Sequence, residues 1–576
     1  MEVEAAVITR IIEFSAKNKF LVLLLTAILL VIAIWCIKRI PLDAIPDLSD
    51  TQVIIYSRWD RSPDIIEDQV TYPIISALLG APKVKAVRGF SDFGFSYVYV
   101  IFEDGTDLYW ARSRVLEYLS KIQARLPQEV KTEIGPDATS VGWVYQYALV
   151  DDTGKTNLSE LRSIQDWQLK YLLQSVPGVA EVASIGGFVK QYQIVVDPNR
   201  LAAYNISLLD LTEAVRNGNS ETGGRVIEFG DREYMIRGRG YIKSIDDIKE
   251  TVVTVEPKTG VPILVKNIAR VELGPDIRRG VADLDGRGDT VGGVVVMRQG
   301  ENVLNVIDRV KERIKEIEPS LPRGVKIVPV YDRSDLVKAA IDTLTHELIL
   351  EVIIVSLVIL LFLWHFPSAI VPIATIPISV FLAFIPMYLM GLTSNIMSLA
   401  GIAISIGVLV DGAIVEVENA YKRLEEWQSS GRKGDFHEVR LSALKEVGPS
   451  VFFSLLLIAV SFLPIFTLVD QEGRLFTPLA MSKTLAMALA ALLAVTLDPA
   501  LRMLFTRMEP FTFSPLWFSR ICTSIFVGRY YPEEKHPISR RLIAFYEPIV
   551  RWSLHNPRKV LAGAALIVAT TIPVYF

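Results

Sequence analysis

The sequence predicts a polytopic α-helical membrane protein that carries a large α+β domain, built from ferredoxin-like βαβ repeats, on one side of the membrane. The mean hydropathy of the 576 residues is +0.35, whereas soluble domains rarely average above zero. Charged residues still make up 22% of the chain, which is too many for a protein that lies wholly in lipid. Seven apolar runs approach the roughly 20 residues that a bilayer requires. Between the first two runs, strand and helix patterns alternate.

The apolar runs define the predicted domain bounds. Residues 1–37 form a cytoplasmic N-terminus and the first transmembrane helix, whose apolar run, Phe20–Ile37, is longer than a signal peptide needs and has no cleavage site after it. Residues 343–504 hold helices two to six, 505–559 form a cytoplasmic amphipathic segment, and 560–576 begin a seventh helix. Because the last run ends with the chain, a truncated or split chain is expected. The predicted later spans are Leu348–Trp364, Ile370–Met390, Ile396–Val417, Val451–Val469, Leu475–Leu497 and Val560–Phe576.

Lysine and arginine indicate the orientation of these spans, because they are enriched in cytoplasmic loops. They precede the first span and follow the fourth and sixth, whereas the loops 391–395 and 470–474 carry few of them. The residues concerned are Arg10, Lys17, Lys19, Lys422, Arg423, Arg432, Lys433, Arg502, Arg507, Arg520, Arg529, Arg540 and Arg541. The N-terminus and the basic loops therefore face the cytoplasm. Residues 38–342 lie outside, which is the periplasm if the membrane is a bacterial inner membrane.

The outer segment, 38–342, is interpreted as two βαβ-type units related by duplication. The pattern P-x-V-x-x-V occurs at Pro82 and again at Pro177, each time between a predicted helix and a predicted strand. Residues 221–276 are rich in Gly and β-forming residues, which predicts an inserted, strand-rich docking lobe. Composition alone leaves a substrate vestibule and a sensor or assembly domain equally open.

Several functional classes find no support in the sequence. No P-loop, H-E-x-x-H, C-x-x-C or G-x-S-x-G motif occurs, so neither ATP hydrolysis nor other enzymatic chemistry has a visible site. The net charge of -4 gives no basic surface for nucleic acid. The two cysteines, Cys36 and Cys522, do not form a disulfide framework.

Asp411 is the strongest candidate for a functional residue, because it lies in the middle of the fourth span. A charge at the bilayer centre costs roughly 2.5–3.5 kcal/mol and marks a functional site by default. Helical spacing places Ala403, Gly407 and Asp411 on one stripe, where small residues allow another helix to approach. We therefore expect Asp411 to point into a helix bundle and to load and unload a proton.

Three further acids lie nearer the cytoplasmic ends of the spans. Glu418 shares the face of Asp411, and a role in the proton relay and simple interfacial solvation are equally favoured for it. Glu416 is expected to be a solvated interfacial residue, and Asp498 is expected at the interface as well.

Methionines lie near the outer ends of the spans, at Met387, Met390, Met397, Met481 and Met487. Thioethers suit soft ions such as Cu(I). They also fill gaps in helix bundles, and spacing alone favours that interpretation.

The fourth span, NIMSLAGIAISIGVLVDGAIVEVEN, resembles the heavy-metal efflux family of the resistance–nodulation–division superfamily. Similar segments run along nearly the whole chain: RIPLDAIPDLSDTQV, ARLP, VPGVAEVASIGGF, DRSDLV, GPSVFFSLLLI, QEGRLFTPLA and SKTLAMA. Members of that family are roughly twice as long, with two parallel halves of six spans each. The resemblance covers the first half and the start of the seventh span.

The resemblance implies a proton-driven permease that exports heavy-metal cations and binds no permanent cofactor. It also implies a homotrimer in the inner membrane, joined by a periplasmic adaptor protein and an outer-membrane channel. Asp411 matches the family's proton-relay aspartate, which works with charged residues in the tenth and neighbouring spans. Met397 and Met487 match two of the methionines that carry metal in the copper/silver branch.

Two positions depart from the copper/silver branch. Leu409 replaces a methionine of that branch, and Gly412 replaces its alanine, as in the zinc/cobalt branch. Ser405, however, replaces the second aspartate of the zinc/cobalt branch. Cu(I) or Ag(I) is therefore favoured as cargo, while divalent zinc, cobalt or nickel stays open. A drug or lipid exporter of the same superfamily, and a non-transporting accessory or sensor half-pump, are the alternative functions.

The predicted topology can be tested with reporter fusions. Fusions after Asp104 and after Gly230 should give a periplasmic signal, and a fusion after Gly434 a cytoplasmic one, because positively charged loops are retained inside. Paired alkaline phosphatase and fluorescent-protein fusions make the measurement. A cytoplasmic signal at Asp104 would reverse the orientation.

Overall fold

The computed structural model describes residues 2–257, 259–278, 280–432, 434–506, 523, 527 and 537–575. Two compact units are present: residues 1–135 together with 334–576, and residues 136–333. Much of the predicted amphipathic segment 505–559 lies outside the described residues. So do Cys522, Lys433, Arg507, Arg520 and Arg529.

The chain begins with two helices, α1 (Glu2–Lys17) and α2 (Lys19–Ile37). The second is the first predicted span, and it is long and apolar enough to cross a membrane. The first is amphipathic and buries Ile8 and Ile12 against Leu444 and Val495, two residues of later helices. The predicted N-terminal segment therefore contains a packed helix before the span.

The first α+β lobe follows within the same unit. Its elements are β1 (Gln52–Arg58), α3 (Pro63–Ile66), a π-helical turn (Glu67–Thr71), α4 (Tyr72–Leu78), β2 (Val84–Asp92), β3 (Phe95–Phe102), α5 (Leu108–Ile122), a 3-10 turn (Gln123–Arg125) and β4 (Lys131–Ile134). The strands form an antiparallel sheet in the order β2-β3-β1-β4. The inward residues of β1 and β3, such as Ile55 and Val100, alternate with outward ones and pack on Ile74 and Val115 of the helices.

The second unit repeats this arrangement around an insertion. Its elements are β5 (Trp143–Asp151), α6 (Leu158–Ile164), a π-helical turn (Gln165–Leu169), α7 (Lys170–Gln174), β6 (Val179–Gly186), β7 (Lys190–Val196), α8 (Pro198–Tyr204), α9 (Leu208–Gly218), β8 (Thr222–Phe229), β9 (Arg232–Gly238), α10 (Ile245–Lys249), β10 (Val252–Val255), β11 (Pro262–Leu264), α11 (Val265–Ile268), β12 (Ala269–Pro275), β13 (Val291–Met297), α12 (Val303–Ile317), a 3-10 turn (Glu318–Ser320) and β14 (Val325–Asp332).

The main sheet of the second unit has the order β14-β5-β13-β6. This is the same path through the sheet as in the first lobe, and in both units a π-helical turn interrupts the first helix at the corresponding place. Both sheets therefore have the βαββαβ connectivity of ferredoxin-like folds. The predicted α+β class with duplicated units is confirmed.

The inserted lobe is larger than the sequence predicted. It lies between β6 and β13, and β7 pairs with β12 over the register Lys190↔Pro275 to Val196↔Ala269. The prediction began the insertion at residue 221, because β7 looks like a strand of the main sheet. Pairing between strands some 75 residues apart leaves no local sequence signal.

Six long helices complete the first unit, with a further helix between the last two spans. They are α13 (Arg333–Leu363), α14 (Phe366–Leu389), α15 (Ile396–Ser429), α16 (Phe436–Ser461) with a 3-10 turn (Leu463–Thr467), α17 (Asp470–Phe505), α18 (Pro537–His555) and α19 (Pro557–Tyr575). Seven helices among the described residues are long and apolar enough to cross a membrane, as predicted. Most of these helices are longer than the predicted apolar runs, because each continues into polar turns.

Helix α17 is the centre of the described bundle. It packs against α14, α15 and α16, and 67% of its most apolar stretch is buried, against 6% for α13. It approaches α15 closely at Gly401, where a Cβ atom would overlap the Ser482 hydroxyl and the Leu479 carbonyl oxygen. Gly401 is thus a glycine of α15 that packs against α17. The predicted packing glycine, Gly407, is exposed, and no backbone of another helix among the described residues lies within 4 Å of a Cβ atom placed on it.

This assignment predicts different effects for two matched glycine substitutions. Gly401→Ala should lower the free energy of unfolding by about 1–3 kcal/mol, because the added methyl group forces α15 away from α17. Gly407→Ala, four residues further on, should leave it unchanged or raise it by about 0.5–1 kcal/mol through helix propensity. Thermal unfolding of the purified protein in detergent compares them. A larger loss for Gly407→Ala would restore the predicted stripe as the packing face.

Candidate membrane-embedded functional site

Helix α15 begins with a buried cap that accounts for the NIMS sequence. The Asn395 Oδ1 atom accepts a hydrogen bond from the Ser398 backbone N–H (3.0 Å), and the Ser398 Oγ atom accepts one from the Asn395 N–H (2.9 Å). Both residues are fully buried. The cap satisfies backbone groups that would otherwise be unpaired at a buried helix end, and it sets the rotation of the helix.

That rotation places Asp411 on an open face of the described bundle. Asp411 and Gly407 are exposed, as are Ile404 and Val415 on the same side. The prediction that Asp411 points into the bundle is therefore not met within the described residues. The opposite side of α15 is the one that packs against α14, α16 and α17. Ala403 is half-buried at the edge of the open face.

A second acid lies beside this face. A Cβ atom on Gly407 would be 3.9 Å from the Glu351 Oε1 atom of α13. Glu351 was not singled out from the sequence, although an acid inside the predicted span Leu348–Trp364 is the same signal that identified Asp411. The open face of α15 thus has two carboxyl groups near it, contributed by two helices.

Glu418 lies seven residues beyond Asp411 and is half-exposed. Its carboxylate pairs with the Lys422 ammonium at 2.8 Å, one turn further along the helix. This pair is a common arrangement on a solvated helix face, and neither of the two interpretations of Glu418 gains an advantage from it.

The expectation that Glu416 is a solvated residue is wrong, and Asp498 is buried as well. Neither is a solvated interfacial residue, because each is only 3% exposed. Glu416 faces Asp498 across the contact between α15 and α17, and the Asp498 carboxylate accepts a hydrogen bond from the Arg502 guanidinium at 3.0 Å. The sequence pattern failed here because Glu416 lies on the α17 side of α15, and only the packing of the two helices reveals its neighbours.

The two candidate metal-carrying methionines have different environments. Met487 is fully buried in the cluster that includes Leu409 and Ile406, whereas Met397 is half-buried near the start of α15. Within the ranges that the structure describes, no group of three or more His, Cys, Asp or Glu side chains is arranged to hold a metal ion.

An ion-pair cluster connects the first α+β lobe to the outer end of α17. The Arg474 guanidinium donates to Asp50 at 2.8 Å and to Asp104, and Lys85 pairs with Asp470. The hydrogen bond from Arg474 lowers the pKa of the Asp104 carboxyl group. The ion pair between Arg474 and Asp104 is therefore complete at neutral pH. It weakens only when the pH falls below about 3.9, the ordinary pKa of an aspartate.

Duplicated α+β lobes and a bundle with seven helices, among the described residues, that are long and apolar enough to cross a membrane are the features of a multi-pass membrane protein. The AcrB/AcrD/AcrF family model matches residues 11–576. The chain belongs to this family of resistance–nodulation–division permeases.

Among relatives, the chain is 49% identical over 568 residues to the cation efflux system protein CusA of Escherichia coli (strain K12). It is 34% identical over 578 residues to the cobalt-zinc-cadmium resistance protein CzcA of Cupriavidus metallidurans. Each alignment covers 98% of this chain and 52% of the relative. A crystal structure of a heavy metal efflux pump superimposes with a TM-score of 0.75 at 31% identity, covering 85% of this chain and 48% of that one. The chain thus spans about half the length of its relatives.

Proposed function

We propose that this chain forms part of a proton-driven permease that exports heavy-metal cations from the periplasm or the cytoplasm across the cell envelope. The observation that carries the proposal is Asp411, an ionisable side chain in the middle of a membrane-spanning helix, on a face that the described bundle leaves open. The match to heavy-metal efflux proteins over 98% of the chain supports the same function.

Proton coupling follows from the electrostatics of that position. Protonation of Asp411 removes a charge from the middle of the membrane, so its attraction for a cationic partner is lost and the helices repack. Each charge that crosses the membrane potential contributes roughly 2.3 kcal/mol per 100 mV. Helix α17 packs on α15 and carries the ion pairs to the first α+β lobe, so it offers a rigid path from the acid to the outer domain.

The cargo that the sequence supports best is Cu(I) or Ag(I). Identity to CusA is 49%, against 34% to CzcA. Met397 and Met487 supply soft thioether ligands, which suit monovalent copper and silver. Divalent zinc, cobalt or nickel is the second choice, because Leu409 and Gly412 depart from the copper/silver pattern.

The proposed assembly is a homotrimer in the inner membrane that docks a periplasmic adaptor protein and an outer-membrane channel. The strand-rich insertion between β6 and β13 supports docking. Its β8–β9 hairpin is exposed along its whole length, and it carries apolar side chains at Phe229 and Met235 that are 79% and 77% exposed.

Asp411→Asn tests the proton relay. The amide keeps the shape of the side chain but cannot ionise, so metal-driven proton flux should fall to background. Folding should change by less than about 0.5 kcal/mol, because the side chain is exposed in the bundle. The proton flux is measured with a pH dye inside proteoliposomes. These contain the permease in the form in which its host produces it.

Glu426→Gln is the matched control for this variant. It also removes a carboxylate from α15, but at an exposed position in the last turns that pairs with Arg423, and it should leave the flux unchanged. Wild-type proton and metal flux in Asp411→Asn would show that Asp411 is a structural residue.

Met397→Ile and Met487→Ile test the metal. Each swap roughly conserves volume and should cost less than about 1.5 kcal/mol of stability, while removing a thioether. In either variant, growth of the host should become more sensitive to copper or silver, while the expression of the permease stays unchanged. Met503→Ile, a half-buried methionine at the far end of α17, serves as the control. Equal tolerance in all variants would make the two methionines core filler.

A further inference from the structure

Glu416, Asp498 and Arg502 form a charged cluster inside the bundle, away from Asp411. All three are 3% exposed. Glu416 is five positions after Asp411 on α15. This spacing places the two side chains about 140° apart around the helix and about 7.5 Å apart along it. The two acids therefore lie in different environments, one on the open face and one between helices.

The charges of this cluster do not balance if both acids are ionised. Two carboxylates and one guanidinium leave a net charge of minus one, in surroundings where an uncompensated charge is strongly unfavourable. The other buried cation at this end of α17, Arg440, donates instead to the carbonyl oxygens of Arg502 (3.4 Å) and Thr506 (2.8 Å).

Among the described residues, the remaining neighbours of Glu416 supply no compensating charge. Helix α14 presents the hydroxyl groups of Thr375 and Ser379, and α16 presents Gly448. Glu13 of α1 and Lys445 of α16 are already paired with each other at 2.7 Å.

The burial of the two acids beside one cavity favours a proton between them. Glu416 and Asp498 are both buried and line the same small cavity between α15 and α17. An ionised carboxylate only accepts hydrogen bonds, so two of them cannot bond unless one holds a proton. One shared proton brings the net charge of the cluster to zero, as in other paired carboxyl groups.

A cavity beside Glu416 gives that proton a route. The Glu416 Oε1 atom has no hydrogen-bond partner among the described residues. The Glu416 residue lines a cavity together with Thr375, Ser379, Leu409 and Asp498, in which about 20 Å³ is open to the centre of a water molecule. This is room for one water, and the carboxyl groups and hydroxyls around it supply the two to four polar partners that a buried water needs.

We propose that Glu416 and Asp498, with Arg502 as their counter-charge, form a second proton-binding site of the permease that exchanges its proton through the cavity beside Glu416. In the loaded state, Glu416 holds the proton and donates to Asp498. On release, the O–H bond of Glu416 breaks and the proton passes to a water in the cavity. The ionised pair that remains faces Arg502, whose Nη2 atom has no partner among the described residues. The role of this site in transport rests on the proposed function, whereas the binding of a proton does not.

Infrared spectroscopy of the purified permease tests binding without any assay of transport. At neutral pH a protonated carboxyl group gives a C=O stretching band that shifts in D₂O. One such band should be lost in Glu416→Gln and lost or shifted in Asp498→Asn. It should persist in Asp411→Asn and in the exposed control Glu426→Gln. Glu416→Asp, which keeps the acid, should retain a shifted band, and size-exclusion chromatography checks that each variant is folded.

Retention of every carboxyl band in a folded Glu416→Gln variant would overturn the proposal. A second outcome would also overturn it: the wild type binds one Na⁺ or Zn²⁺ ion per chain, and the Glu416→Gln variant binds none. The cluster would then hold a metal cation.

Proton flux separates this site from Asp411. The amide of Glu416→Gln imitates the loaded state permanently, so flux in proteoliposomes should fall at least tenfold while the protein stays folded. Wild-type flux in a variant that has lost the band would overturn the proposed exchange. If the wild type itself moved no protons, the proposed function would fail, yet the infrared result would still decide whether the site binds a proton.

Discussion

The close contact between α15 and α17 is the constraint on which the rest of the membrane bundle depends. At Gly401 the two helices approach so closely that no side chain fits between them. From there the helices run in the same direction, and about 15 residues further on Glu416 meets Asp498. The interval from Gly401 to Glu416 on α15 and that from Ser482 to Asp498 on α17 each correspond to roughly 22–24 Å of helix. The register that places Gly401 against Ser482 therefore also brings the two buried acids together. A rotation of either helix would expose a charge to lipid or bury Asp411 in an apolar core.

This packing gives α15 two faces with different chemistry. One face carries Asp411 and lies beside Glu351, and it is open in the half of the permease length that the chain spans. The other face carries Glu416 and is sealed by α14, α16 and α17. A helix with an acid on each face can respond to protonation at either one, and a shift at one face moves the other because the helix is continuous from Ile396 to Ser429.

The outer lobes show how a duplicated unit acquires a new part without losing its fold. Both main sheets follow the same path, with a π-helical turn in the first helix of each. The second unit accepts an insertion of β7 to β12 between its second and third sheet strands. These two strands, β6 and β13, still pair directly in the sheet, so the insertion enters and leaves at one edge and the core around β13 stays closed. The first lobe is tied to α17 by Arg474, which pairs with Asp50 and Asp104.

The sequence by itself determined the class of the protein, the seven apolar helices, the duplicated α+β units and Asp411 as a charged residue in mid-membrane. These follow from local patterns: long apolar runs, strand and helix periodicity, and a single acid among aliphatic residues. Glu351 carried the same signal as Asp411 and was within reach of the sequence alone. The tertiary structure alone decided that Gly401 packs closely against α17, that β7 belongs to the insertion, and that Glu416 and Asp498 are buried together. Each depends on which face of an element meets a partner far away in the chain, and helical or strand periodicity specifies the faces of one element but not the neighbour that covers them.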